Sequence, residues 1–169
     1  MVREGAYSLI SVRLRCERKR THTPMDISVF RLSLIKDRAI PYAKASLILT
    51  PQNVYELVKE YLQGTDREHF IALYLDSRSE VIGINTVSIG TLTESLVHPR
   101  EVFKGAILAN AASVIVAHNH PSGEHHASEA DISVTEKLKE SGRILGIPIE
   151  DHVVIGAEAF TSFRQEGLL

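Results

Sequence analysis

Cysteine occurs once in these 169 residues, at Cys16, which excludes both an internal disulfide and a cysteine-rich zinc cluster. A reducing compartment fits that usage. No apolar run approaches the roughly 20 residues that cross a bilayer, and the first residues lack the uninterrupted apolar stretch of a signal peptide. The expected location is the cytoplasm, with no membrane partner. Repeats and low-complexity tracts are also missing. At this length, 44% hydrophobic content provides apolar mass for one core and too little chain for two comfortable domains.

Net charge is low, formally −2, but it is unevenly spread. Arg3, Arg13, Arg15, Arg18, Lys19 and Arg20 face only Glu4 and Glu17 within the first 23 residues, so the remainder is net acidic. That basic run joins a short apolar patch (Tyr7 to Leu14) and the polar THTP. Residues 1–30 are therefore expected to be a basic, poorly ordered extension and residues 31–169 to form the domain.

What is present from Val29 onward is regular patterning. VFRLSLI alternates as a strand does. Thr50 suits a helix cap and Pro51 a first turn, and Val54, Leu57, Val58, Tyr61 and Leu62 follow at spacings of three and four. FIALYLD and VIGINTVSIG, separated by SRSE, read as two strands joined by a turn. Pro99 opens a second helix, with Val102, Phe103, Ala106, Ile107 and Asn110 on one stripe and an end near Ala112. SVIVAH reads as a buried strand, residues from about Glu129 to Ser141 as a third helix stopped by Gly142, and IPIEDHVVIG as a last strand. Strands alternating with helices predict an α/β fold, a single layered domain with a mixed sheet flanked by helices.

Four of the eight histidines fall within HNHPSGEHH, between the buried strand and the third helix. Side chains two apart on a strand share a face, so His118 and His120 have the spacing to share one ion. Imidazoles suit zinc, and a catalytic zinc site usually has three protein ligands and a water. Asp131, in the first turn of the next helix, is placed to be the third, because Pro121 and Gly123 let the chain turn back. Two other readings stand beside this one. Ser128-x-x-Asp131 also matches a capping box, which needs no metal, and a histidine pair at a strand end can simply be hydrogen-bonded or exposed. His125 and His126 read as loop-surface residues, since adjacent side chains seldom both reach a buried ion. His22, His69, His98 and His152 have no comparable partner by spacing.

His118-x-His120, seven residues, then Ser128-x-x-Asp131 resembles the JAMM motif, also called MPN-plus. The stretches REHFIALYLD, VSIGTL, SLVHPREVF, AHNHPSG, SEADISVT and LGIPIEDHVVIG, in that order from about Arg31 to the C-terminus, are similar to the RadC family of bacterial JAMM-domain proteins. The resemblance implies a cytidine-deaminase-like JAMM/MPN architecture and one zinc ion per chain held by His118, His120 and Asp131. It also implies that Glu68 is the general base, that Ser128 helps hold the developing oxyanion, and that an amide or isopeptide bond of a peptide or isopeptide substrate is hydrolysed. Glu101, in HPREVF, is the rival base, although an acid in a first helical turn also interacts favourably with the helix dipole. Nothing in residues 1–30 matches the helix-hairpin-helix region of longer RadC proteins, so the family's DNA-repair label transfers poorly. Glu124-His125-His126 departs from the small or proline-rich residues usual at that point.

Two further functions compete with this reading. A nucleobase deaminase needs His-x-Glu followed by Pro-Cys-x-x-Cys, which the lone Cys16 cannot supply. A DNA-associated accessory protein with a structural or vestigial metal site would use the basic N-terminal run on phosphates. That run is more simply a solvated tail, and the domain behind it is net acidic.

Overall fold

Thr50 and Pro51 open the first helix among the described residues of the structure, a computed structural model that describes residues 34–37, 39, 47–48, 50–90 and 97–169. The helix α1 (Pro51–Tyr61) starts with a reciprocal cap: Thr50 Oγ1 accepts from the Asn53 amide, and the Asn53 side chain accepts from the Thr50 amide. Its apolar stripe buries Val54, Leu57 and Val58 as the spacing predicts. FIALYLD and VIGINTVSIG become β1 (His69–Leu75) and β2 (Val81–Ile89), an antiparallel pair. Their turn is tied by Asp76, whose carboxylate accepts from the amides of Arg78 and Glu80 at 2.8 and 2.9 Å. Then follow α2 (Pro99–Leu108), β3 (Ser113–Asn119), α3 (Glu129–Leu145), β4 (Ile149–Ile155) and the short β5 (Phe160–Ser162).

The five strands form one sheet in the order β2-β1-β3-β4-β5. β1 is antiparallel to both β2 and β3, β3 is parallel to β4, and β4 is antiparallel to β5, so the sheet is mixed as expected. Alternation along β1 explains why its text is apolar throughout. Ile71, Leu73 and Leu75 pack with α1, while Phe70, Ala72 and Tyr74 pack with Val102, Phe103 and Ala106 of α2 and Leu138 of α3. The result is an α/β domain with the sheet covered on both faces.

Three expectations are corrected. α2 ends at Leu108, not near Ala112. Ile107, within the helix, is off the buried stripe and 53% exposed, and Asn110 lies beyond the helix in a left-handed conformation, φ 52°. α3 does not stop at Gly142 but runs to Leu145 and closes on Gly146 at φ 70°, where glycine carries no Cβ penalty. Gly142 is small for a packing reason: a Cβ there would stand 2.5 Å from the carbonyl oxygen of Ile147 and 3.2 Å from Phe103 Cζ. β5 follows the strand expected to be last; three residues are too short to show a period. Of the strand expected over VFRLSLI, the first five residues lie outside the described ones, and Leu34 and Ile35 belong to no strand. The extension expected over residues 1–30 also lies outside the described residues. Among the described residues no helix is long and apolar enough to cross a membrane.

Candidate metal centre

β3 is buried along its length and ends where α3 begins, the place at which α/β sheets commonly present ligand sites. His118 is its last fully buried side chain, 1% exposed. His120 follows just outside the strand, and the chain then turns sharply, the Gly123 amide donating to the His120 carbonyl at 2.9 Å. Gly123 adopts φ 85°, which a glycine takes without strain. Its carbonyl accepts from the Ala157 amide at 3.0 Å, which pins the loop beyond β4. The turn brings the N-terminus of α3 back onto the strand end.

There the three expected ligands converge. His118 Nε2 lies 2.9 Å from His120 Nε2 and 3.2 Å from Asp131 Oδ1, and His120 Nε2 lies 3.7 Å from Asp131 Oδ2. Zinc ligands at about 2.0–2.1 Å in tetrahedral arrangement sit roughly 3.3 Å from one another, so these separations bracket what one ion needs. His120 Nδ1 is 3.1 Å from the carbonyl of Glu124, which can only accept; Nδ1 therefore carries the proton and Nε2 presents a lone pair. Two imidazole nitrogens and a carboxylate are a donor set suited to zinc.

The acid of the capping box and the candidate ligand are the same residue, Asp131. Ser128 caps α3: its hydroxyl accepts from the Asp131 amide at 3.2 Å, and its amide and hydroxyl donate to Asp131 Oδ2 at 2.7 and 2.6 Å. Those two bonds engage Oδ2 and leave Oδ1 as the freer oxygen facing His118. Burial alone would raise the Asp131 carboxyl, but the hydrogen bond and charge of His118, with the two bonds from Ser128, hold it well below the usual carboxylate range. The carboxylate is kept ionised and aimed, as a metal ligand must be.

The other expected residues stand as follows. Glu68 directly precedes β1, half-buried, and its carbonyl accepts from the Gly90 amide at 2.8 Å. Phe70 and His118 are the last pair of the antiparallel register, and Glu68, two residues before Phe70, lies at the same end of the sheet as His118. Asn119 straps this corner, accepting from the His69 amide at 2.8 Å and donating to the Arg67 carbonyl at 2.9 Å. Among the described residues the Glu68 side chain makes no hydrogen bond or ion pair. Glu101 is engaged elsewhere, paired with Lys104 and with Arg100 at 3.0 Å on the surface of α2; these partners draw its carboxyl below the ordinary value. His126 is exposed as expected, whereas His125 is half-buried and its Nδ1 meets Thr161 Oγ1 at 2.9 Å. His98 caps α2 by accepting from the Arg100 amide.

One residue was missed. His152, without a partner by spacing, is fully buried and its Nε2 lies 2.8 Å from His118 Nδ1. The available signal was its place in an apolar strand, since a buried polar group needs a partner. Pairing β4 with β3 supplies that partner from 34 residues away. Burial, and secondarily the charge of His118, push the His152 imidazole well below its ordinary pKa, so it is neutral.

These features define an α/β domain with a preformed His-His-Asp donor set at the end of a central strand. Residues 48–168 match the RadC-like JAB domain family, and the chain belongs to it. It is similar to UPF0758 proteins of Desulforamulus reducens, 48% identical over 131 residues (78% of this chain, 58% of the relative), and Shouchella clausii, 48% over 121 residues (72% and 53%). A UPF0758 protein of Methanosarcina acetivorans is likewise 48% identical over 122 residues, 72% of this chain and 53% of its own. The chain thus spans little more than half the length of these relatives.

Proposed function

We propose that the chain is a zinc-dependent hydrolase of the JAMM metalloprotease type, cutting an amide or isopeptide bond with one zinc ion held by His118, His120 and Asp131. The observation that carries this reading is the convergence of two imidazole nitrogens and a fixed carboxylate oxygen at one strand end. A zinc ion held there by His118, His120 and Asp131 would lower the pKa of a water toward about 7 and polarise a substrate carbonyl.

The remaining work falls to the chain's own groups. Glu68 is the general base: it takes a proton from the attacking water and returns it to the leaving amine. Two features favour it over Glu101. It lies at the same end of the sheet as His118, and Glu101 is held by two cations that make it a weaker base. The Ser128 hydroxyl, on turning from Asp131 Oδ2, would donate to the developing oxyanion, while the Ser128 amide keeps the carboxylate in place. The cytoplasm is the proposed location, and a peptide or isopeptide the proposed substrate class.

Elemental analysis of untagged protein tests the metal step. The expected result is one zinc per chain, lost in His118→Ala, His120→Ala and Asp131→Ala. Absence of stoichiometric zinc after zinc is supplied would overturn the reading. Glu68→Gln is then expected to retain the zinc while losing hydrolysis of peptide and isopeptide substrates.

A further inference from the structure

His118 and His152 form a buried pair whose proton positions can be read from the atoms around them. Thr135 Oγ1 lies 2.6 Å from the carbonyl oxygen of Asp131, one helical turn earlier on α3. That carbonyl can only accept, so the single hydroxyl proton of Thr135 points to it. The same Oγ1 lies 2.6 Å from His152 Nδ1 and must therefore accept, which places a proton on Nδ1. In a neutral imidazole the other nitrogen is then a bare lone pair. His152 Nε2 accordingly accepts from His118 Nδ1 across 2.8 Å, and His118 Nε2 is left to face His120 and Asp131.

Packing holds this chain of bonds in place. His152 is 0% and Thr135 1% exposed. The His152 ring stacks on Phe163 at 4.6 Å between centroids and meets Phe70 edge-on at 5.4 Å, while Phe70 lies parallel to His118 at 6.0 Å. An unpaired Nδ1–H or Nε2 at this depth would have no water to turn to.

We propose that Thr135 and His152 are positioning residues that set the His118 tautomer, so that Nε2 is the atom offered to the metal. Resting on the metal-centre reading, this assigns to α3 two linked tasks: Asp131 supplies a ligand, and Thr135, one turn further along, fixes the proton pattern of a second ligand on β3. The two elements are thereby held in register before an ion arrives. Outer-shell partners of this kind typically change metal affinity about 10–100-fold.

The test uses the full chain with 15N-labelled histidine, stripped of metal and held near pH 8, and long-range 1H–15N correlation to read each ring. His152 is expected as the Nδ1–H tautomer and His118 with a proton on Nδ1. Zinc titrated against a competing chelator is expected to perturb Nε2 of His118 and His120 and to leave His152 neutral. Thr135→Val, close in shape but without the hydroxyl, should weaken zinc binding about 10-fold or more and mix the His118 tautomers; Thr135→Ser should restore both. His152→Gln, whose amide oxygen can still accept from His118, provides a second probe should Thr135→Val fail to fold, and is expected to keep the His118 Nδ1 proton. A His118 ring protonated on Nε2 alone, or unchanged zinc affinity and tautomers in folded Thr135→Val, would overturn the proposal while leaving the metal centre standing. A wild-type chain that shows these tautomers yet takes up no zinc would overturn the metal-centre reading and the purpose assigned here with it.

Discussion

Asp131→Asn separates the cap that Asp131 makes from the ligand role proposed for it. In the metal-free protein the asparagine Oδ1 can still accept from the Ser128 amide, so the cap survives. What is lost is the negative charge at the start of α3; a charge at a helix N-terminus contributes about 0.3–1 kcal/mol. The expected metal-free cost is therefore about 1 kcal/mol. Zinc at 100 times the wild-type Kd stabilises the folded wild type by about 2.7 kcal/mol, a rise in Tm of roughly 5–10 °C for a chain of this size. Losing a direct ligand should weaken binding by more than the roughly 10–100-fold that outer-shell partners cost. At a 100-fold weaker Kd the same zinc contributes only about 0.4 kcal/mol, roughly 1 °C. Thermal denaturation of both proteins, with and without zinc, reads all four values. Equal zinc-induced shifts in wild type and Asp131→Asn would refute Asp131 as a ligand, and a metal-free loss far above 1 kcal/mol would refute the surviving cap.

Other consequences are testable in the same way. Gly142→Ala, which by helix propensity alone would stabilise α3 by about 1 kcal/mol, should instead destabilise by about 1–3 kcal/mol because its Cβ meets the Ile147 carbonyl at 2.5 Å; a urea midpoint at or above wild type would show that the turn yields. Asn119→Ala removes both hydrogen bonds to the 67–69 segment and should cost about 1–2 kcal/mol, with faster amide hydrogen exchange at His69; unchanged exchange would contradict the strap. Burial raises the Asp151 carboxyl, against the bonds it accepts from Ser162, Arg164 and His152. Between the unfolded value of about 3.9 and the raised folded value, the unfolded chain binds fewer protons, so stability falls as pH rises through that window. Asp151→Asn should flatten this slope in urea unfolding followed from pH 4 to 7, and identical slopes would dismiss the effect.

The fold and most of the site were legible because they depend on local periods and on one short motif. Apolar, β-branched runs bounded by turn residues marked β1, β2, β3 and β4, and the cap-and-stripe pattern marked α1 and the starts of α2 and α3. The spacing of His118 and His120, with the turn residues Pro121 and Gly123, was enough to bring Asp131 to the strand end. Helix ends read less well. Gly142 resembled a stop signal, yet its smallness serves a contact with Ile147 and Phe103, and a requirement for space leaves the same letter in the text as a requirement for positive φ.

Tertiary structure alone decided the matters that rest on pairing between distant segments. His152 becomes the partner of His118 only because β4 lies parallel to β3, and no spacing within either strand encodes that register. Ser128-x-x-Asp131 allowed a cap or a ligand; the structure shows one carboxylate making the cap through Oδ2 and facing the histidines through Oδ1. Local sequence thus determined the main strands, where the helices start and which groups those segments carry. The three-dimensional packing determined which groups meet, because the energy of a buried imidazole or carboxylate is set by neighbours that the chain brings together only on folding.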